Sequence, residues 1–261
     1  MKIKSNGIEL NYAVEGSGPW VVMSHSLACD ASMWDAQAAV LARGYRVLRF
    51  DTRGHGGSDA PEGEYTLEML AEDAKGLLDG LGVRSCHWVG LSLGGMIGQT
   101  FALSYPGMFR TLTLCDTASS YPPEAAEMWQ DRIRTAKEQG MGALVEATLA
   151  RWFTEPYRKS RSDTMERVSK MIRNTPVAGY AGCCHAIPKL NLTHRLKEIH
   201  CPTLVLVGEQ DMATPVAAAR EIQGAIAGAE LKVIPSAAHL SNIEQAEVFN
   251  RALLDFLARH R

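Results

Sequence analysis

Gly90-Leu91-Ser92-Leu93-Gly94-Gly95 lies between an apolar run that ends at Val89 and a segment with helical periodicity that begins near Leu93. A serine at such a strand-to-helix turn has a strained backbone, and glycines two positions away on either side let the chain pass close to neighbouring elements. Its hydroxyl is exposed at the amino end of the helix, where the N–H of Leu93 can stabilise an oxyanion. Gly-x-Ser-x-Gly also arises by chance in glycine-rich loops, but its place between strand and helix predicts that Ser92 is a nucleophile.

The alternation of short apolar runs and helical segments continues on both sides of this turn. It is typical of βαβ units and of a mostly parallel sheet, so we expect an α/β fold with helices flanking the sheet. The predicted strands are residues 8–14, 20–24, 45–50, 86–91, 111–115, 203–207 and 231–234. The predicted helices are residues 31–42, 67–81, 93–104, 215–225 and 245–258.

Residues 121–200 interrupt the alternation. This segment opens with Pro122-Pro123 and continues with helix-rich sequence that contains many charged residues and no clear strand. The sheet resumes directly after Cys201-Pro202. We therefore expect a core made of residues 1–120 and 201–261, with residues 121–200 inserted as a helical cap.

A serine hydroxyl is a weak nucleophile at neutral pH, so Ser92 needs a histidine base and a carboxylate that orients the base. Asp211 follows the predicted strand 203–207 at the carboxyl end of the sheet, and Glu209 is the alternative acid. His239 lies in a loop of small residues and is the only one of the eight histidines that follows a late strand. Serine, acid and histidine occur in this order along the chain in one group of hydrolases.

Two further loops follow early strands. A second oxyanion donor is expected after strand 20–24, where we assign the N–H of Leu27, with Ser26 as the alternative and a simple turn as the competing interpretation. The glycine-dense turn of residues 51–58 is interpreted as structural, because a buried Arg and Asp in a tight turn mostly satisfy backbone groups.

Composition limits the partners. The chain has 261 residues, of which 46% are hydrophobic and 21% charged, and its formal net charge is −2. No basic stripe favours nucleic acid, and no polybasic arm or long apolar run favours a membrane. No signal-peptide pattern is visible, and the six cysteines form no C-x-x-C pair, which predicts buried free thiols in a cytoplasmic protein without a metal centre. We expect a small-molecule substrate and either a monomer or a homo-oligomer.

The chain as a whole resembles the α/β-hydrolase fold superfamily, and three stretches are similar to 3-oxoadipate enol-lactonases. The stretches are Ser26-Leu27 with Met33-Trp34-Asp35, residues 90–99 around the serine, and Gly179-Tyr180-Ala181-Gly182-Cys183-Cys184-His185-Ala186-Ile187 in the cap. The generic superfamily has His-Gly where this chain has His25-Ser26. The resemblance implies an eight-stranded, mostly parallel sheet with an inserted helical cap.

The same resemblance implies the reaction. A cofactor-independent triad would open 3-oxoadipate enol-lactone to 3-oxoadipate through an acyl-enzyme, in the β-ketoadipate pathway of aromatic-compound degradation. A carboxylesterase or another lactonase is the alternative. A C–C bond hydrolase, a cofactor-free haloperoxidase and a non-catalytic binding protein of this fold are weaker alternatives.

A substrate carboxylate needs a cation, and arginine supplies a permanent charge with bidentate geometry. Among the cap arginines, which also include Arg132 and Arg173, we expect Arg134 to bind the carboxylate, with Arg151 as the second choice. The remaining expected pocket residues are Trp129, Trp152 and Ser26. Most arginines of such a cap are simply solvated, and aromatic residues there more often form the cap's own core.

Overall fold

The computed structural model describes residues 1–261. Its strands are β1 (Lys2–Ser5), β2 (Ile8–Gly16), β3 (Trp20–Ser24), β4 (Arg46–Phe50), β5 (Cys86–Leu91), β6 (Phe109–Cys115), β7 (Thr203–Gly208) and β8 (Glu230–Ile234). Its α-helices are α1 (Asp35–Leu41), α2 (Leu67–Gly80), α3 (Leu93–Ser104), α4 (Ala125–Gln139), α5 (Val145–Trp152), α6 (Glu155–Ser160), α7 (Ser162–Asn174), α8 (Val177–Ala186), α9 (Val216–Ala225), α10 (Ser241–Glu244) and α11 (Ala246–Arg259).

The eight strands form one sheet in the order β1-β2-β4-β3-β5-β6-β7-β8. Strand β2 is antiparallel to both of its neighbours, and all the other neighbouring strands are parallel. Strands β5 and β7 are buried along their whole length, which explains why they appear in the sequence as continuous apolar runs. The predicted α/β class and mostly parallel sheet are confirmed.

Seven strands lie within two residues of their predicted ends, but β1 was not predicted. This strand, Lys2–Ser5, has two lysines in four residues and pairs only with β2 at the edge of the sheet, where charged side chains are common. The predicted helix 31–42 begins as a 3₁₀ turn at Ala31–Trp34 before it continues as α1.

Between β6 and β7 the chain forms helices α4 to α8, and we call residues 121–200 the cap. The treatment of the cap as a separate domain stays a prediction.

Helix α8 carries Cys183 and Cys184 as free, buried thiols. Burial raises the pKa of the Cys184 thiol to about 12, so this cysteine is a poor nucleophile. No helix of the structure is both long enough and apolar enough to cross a bilayer.

The turn of residues 51–58 has the structural contacts expected of it. The Asp51 carboxylate accepts the N–H groups of Ala31 and Gly57, at 2.7 and 2.8 Å. Arg53 forms a buried ion pair with Asp73 at 2.6 Å, which joins the turn to α2. These contacts fix the loops at the carboxyl edge of β3 and β4.

Candidate active site

Ser92 lies between β5 and α3 with a backbone φ of +55°, a value that non-glycine residues rarely adopt. Its N–H donates to the Cys115 carbonyl at 2.9 Å, which ties the turn to β6. A β-carbon on Gly94 would overlap the backbone of Ser24, and one on Gly90 would overlap the Gly94 carbonyl. Only glycine at these two positions therefore lets α3 pack against the strands closely enough to hold the strained serine.

Asp211 and His239 meet at the ends of β7 and β8. The Nδ1–H of His239 donates to Asp211 Oδ2 at 2.9 Å, and both side chains are buried. The hydroxyl and N–H of Thr214 and the N–H of Ala213 also donate to the Asp211 carboxylate. Burial raises the pKa of Asp211, but the charge and hydrogen bond of His239 and the bonds from Thr214 outweigh it, so the pKa is lowered and the carboxylate stays ionised.

Glu209, the alternative acid, is exposed and accepts the N–H of Ser236 at 3.1 Å. The structure therefore brings Asp211, and not Glu209, to the histidine. With Nδ1 engaged by Asp211, the Nε2 atom of His239 is free to act as an acceptor, which is the tautomer that a general base needs.

Ser92 and His239 line the same cavity of about 160 Å³. No hydrogen bond shorter than 3.5 Å joins the two side chains, and such contacts commonly tighten only when substrate is bound. Of the 21 lining residues, 14 are hydrophobic and none is an aspartate or glutamate. The cavity is smaller than the pockets that hold drug-sized ligands, so it favours a small substrate.

The two predicted oxyanion donors come from the loop after β3 and from the first turn of α3. Leu27 lines the cavity. Leu93 is the first residue of α3, so its N–H has no carbonyl acceptor within the helix. Ser26 also lines the cavity, and its buried hydroxyl has no hydrogen-bond partner in the protein.

His55 holds the Leu27 loop in place, a role that the sequence did not indicate. Its Nε2 accepts the N–H of Ala28 at 3.0 Å, and Ala28 has a φ of +59°. Burial, aided by the neighbouring His25, lowers the pKa of His55 to about 3, so the ring remains a neutral acceptor. His25 supports the same loop by accepting the N–H of Thr52 at 2.9 Å.

The expectation for Arg134 is corrected by the structure. Its side chain is 61% exposed and pairs with Asp131 at 2.5 Å, and it does not line the cavity. Arg132 lines the cavity instead, with its guanidinium 4.4 Å from the centre of the Trp129 ring. Arg132 is three residues after Trp129 and therefore lies on the same face of α4, whereas Arg134 is five residues after it and does not. The predicted pocket position of Trp129 was thus a signal for Arg132.

Arg151, Trp129 and Trp152 all line the cavity. Arg151 is half-buried, and its pKa is lowered by burial and by the positive charge of Arg132. The Trp152 ring lies 6.3 Å from the His239 ring. The cap thus contributes two guanidinium groups and two indole rings to a cavity whose base carries Ser92 and His239.

A strained serine after a central strand, with an acid and a histidine after the last two strands, is the arrangement typical of hydrolases built on a mostly parallel sheet. A family model described as the alpha/beta hydrolase fold matches residues 19–246, and the chain belongs to this family. This result confirms the architecture that the sequence resemblance implied.

Individual relatives give a finer comparison. The chain is 34% identical to 3-oxoadipate enol-lactonase 2 of Acinetobacter baylyi, over 96% of this chain and 94% of that protein. The crystal structure of the enol-lactonase from Burkholderia xenovorans LB400 has a TM-score of 0.95 at 39% identity and covers 99% of this chain and 100% of that one. A thermophilic esterase from Thermogutta terrifontis, solved with malate bound, has a TM-score of 0.95 at 31% identity, with 100% of both chains covered. The predicted class, a carboxylic-ester hydrolase, is confirmed by these relatives.

Proposed function

We propose that this protein hydrolyses 3-oxoadipate enol-lactone to 3-oxoadipate, and that it acts in the degradation of aromatic compounds. The observation that carries the proposal is the pair Arg132 and Arg151, two guanidinium groups in a mostly apolar cavity with no acidic residue in its lining. A cavity of this kind favours a small anionic substrate. The enol-lactone is a five-membered ring that bears a carboxymethyl group, and the enol-lactonase relatives support this choice.

In the first step Ser92 Oγ attacks the ring carbonyl carbon while His239 Nε2 takes the hydroxyl proton. The carbonyl oxygen becomes an oxyanion that accepts hydrogen bonds from the N–H groups of Leu93 and Leu27. Asp211 keeps the proton of His239 on Nδ1 and stabilises the imidazolium as it forms. The strained turn at Ser92 holds the nucleophile in place before substrate arrives, so little reorganisation is needed.

Collapse of this intermediate breaks the ring C–O bond, and His239 returns its proton to the departing enol oxygen. The enol tautomerises to the ketone while the opened chain remains esterified to Ser92. His239 then activates a water molecule, which attacks the ester and releases 3-oxoadipate. The carboxylate bound to Arg132 and Arg151 takes no part in bond making, so it holds the substrate through both steps.

A carboxylesterase acting on a small ester with a charged acid is the second candidate, because the esterase from Thermogutta terrifontis matches the whole chain at 31% identity. It would use the same triad and the same oxyanion donors. The two candidates differ in substrate alone.

The deciding experiment is steady-state hydrolysis of 3-oxoadipate enol-lactone beside p-nitrophenyl acetate by wild type and Ser92→Ala. We expect the lactone to be preferred by at least about 10³-fold in kcat/KM. We expect Ser92→Ala to lose about 10⁴-fold or more in kcat while remaining folded. A preference for the acetate would overturn the lactone assignment, and an active Ser92→Ala would overturn the mechanism.

A further inference from the structure

Glu244 is a buried carboxylate that belongs to neither the predicted triad nor the cavity lining. It ends α10, five residues after His239, and is 6% exposed. Its Oε1 accepts bonds from the hydroxyl of Thr154 at 2.5 Å and from the N–H of the same residue at 3.1 Å. Its Oε2 accepts the N–H of Ala238 at 2.9 Å. These neutral donors replace the water that the carboxylate loses on burial.

The contacts of Glu244 join two segments that are far apart in the chain. Thr154 lies in the cap just after α5, 90 residues before Glu244, whereas Ala238 directly precedes His239. A second connection runs in parallel, because the N–H of Leu240 donates to the carbonyl of Trp152 at 3.1 Å. The residues on both sides of His239 are thus tied to the cap just at or after the end of α5. Ala238 is connected through Glu244, and Leu240 is bonded directly.

The same end of α5 forms part of the cavity wall. Trp152 and Arg151 line the cavity, and the Trp152 ring lies beside the imidazole. The loop that carries His239 includes Ser236, Ala237 and Ala238, and its Ser236 bonds its neighbours through backbone atoms alone. The position of the imidazole relative to the cap wall therefore depends on the backbone bonds of this loop.

We propose that Glu244 is a positioning residue that holds the His239 loop and residues 152–154 of the cap in one fixed arrangement. This inference rests on the proposed role of His239 as the base. A displacement of about 1 Å at a reacting group can cost about a hundredfold in rate. Replacement of Glu244 by glutamine changes one of the two acceptor oxygens into an NH₂ group, which is a donor. That NH₂ group must then face another donor, either the N–H of Ala238 or the N–H and hydroxyl of Thr154.

Glu244→Gln is tested beside Glu209→Gln, a matched control that alters an exposed carboxylate bound to one N–H of the same loop. The first measurement is the rate at which a fluorophosphonate probe labels Ser92, since this rate reports on the serine and histidine without any assumption about the substrate. The second is kcat and KM for the lactone. The folded fraction of each variant is measured by circular dichroism at the assay temperature.

We expect Glu244→Gln to lower the labelling rate and kcat together, by between about tenfold and a hundredfold per folded molecule. Glu209→Gln should stay within about twofold of wild type, as surface substitutions usually do. Thr154→Val, which removes a single hydroxyl donor, should act in the same direction as Glu244→Gln but by less. This second variant keeps the test decisive if Glu244→Gln does not fold.

Wild-type rates per folded molecule in Glu244→Gln, or in Thr154→Val should the first variant not fold, would overturn the positioning role. So would an equal loss in Glu209→Gln. A wild-type protein that reacts with the probe but does not hydrolyse the lactone would overturn the proposed substrate alone, and the Glu244 comparison would still stand. A wild-type Ser92 that does not react with the probe would overturn both proposals.

Discussion

Arg132 provides the most direct test of how the cavity recognises its substrate. Arg132→Met removes the charge but keeps a long, apolar side chain that can still pack on Trp129. A hydrogen bond to a charged group contributes about 1.5–3 kcal/mol, and each factor of ten in rate corresponds to about 1.4 kcal/mol. The loss in kcat/KM for the lactone should therefore lie between about tenfold and 150-fold. Because Arg132 is half-buried and Arg151 remains in the cavity, we expect the lower part of this range.

The assay compares two substrates and two variants. Kinetics with the lactone and with p-nitrophenyl acetate separate the loss of carboxylate recognition from general damage, since the acetate ester has no carboxylate to bind. Arg134→Met is the control, because it removes the same charge from the same helix, and its exposed pair with Asp131 contributes only about 0.2–1 kcal/mol. We expect that variant to stay within about twofold of wild type with both substrates.

Two results would refute the reasoning. If Arg132→Met slowed both substrates by the same factor, its role would be to pack the cap rather than to bind a carboxylate. If Arg134→Met lost as much lactone activity as Arg132→Met, α4 would present a different face to the substrate from the one in the structure. A loss confined to the lactone and to Arg132→Met would support carboxylate binding by the cap.

Two further predictions concern stability. Burial lowers the pKa of His55 from the ordinary 6.5 to about 3. As the pH falls from 7 to 5, His55 therefore becomes protonated in the unfolded chain but not in the folded one, and the free energy of unfolding falls by about 2 kcal/mol. His55→Gln, whose amide oxygen can still accept the N–H of Ala28, should flatten this dependence in urea titrations, and an unchanged slope would contradict it. Gly94→Ala would place a β-carbon against the Ser24 backbone and should lower the free energy of unfolding by at least about 1–3 kcal/mol. Gly142→Ala, which meets open space, should be tolerated, and equal thermal midpoints for the two variants would rule out the close packing of α3.

Much of the fold could be predicted because its signals are local. Buried strands appear as apolar runs, and the turn at Ser92 is marked by glycines within two residues. Asp211 and His239 follow late strands, and the carboxyl ends of parallel strands meet at one edge, so their approach to Ser92 follows from topology. The edge strand β1 escaped prediction because two of its four residues are lysines, and its pairing with β2 leaves no apolar run in the sequence.

Residues that act through distant partners could not be found in this way. Glu244 bonds Thr154 across 90 residues, and His55 bonds Ala28 across 27 residues. Nothing in the local sequence of either residue indicates its partner. The position of Arg132 could be predicted only in part. The spacing from Trp129 indicates that the two residues share a face of α4, but whether that face points into the cavity depends on how the cap packs on the core.

The negative charge beside His239 is set by contacts of the same long-range kind. Asp116, at the end of β6, is buried and accepts the N–H of Gly208 and the hydroxyl of Ser241. Burial and the nearby charge of Asp211 raise the pKa of Asp116, whereas the bonds from His239 and Thr214 lower that of Asp211. The pKa values of the two neighbouring carboxyl groups are thereby shifted in opposite directions, and the carboxyl group with the lowered pKa, Asp211, is the one bonded to His239. Which carboxyl serves the histidine is therefore decided by hydrogen-bond donors on other elements, although Asp116 and Asp211 both follow strands of the same sheet.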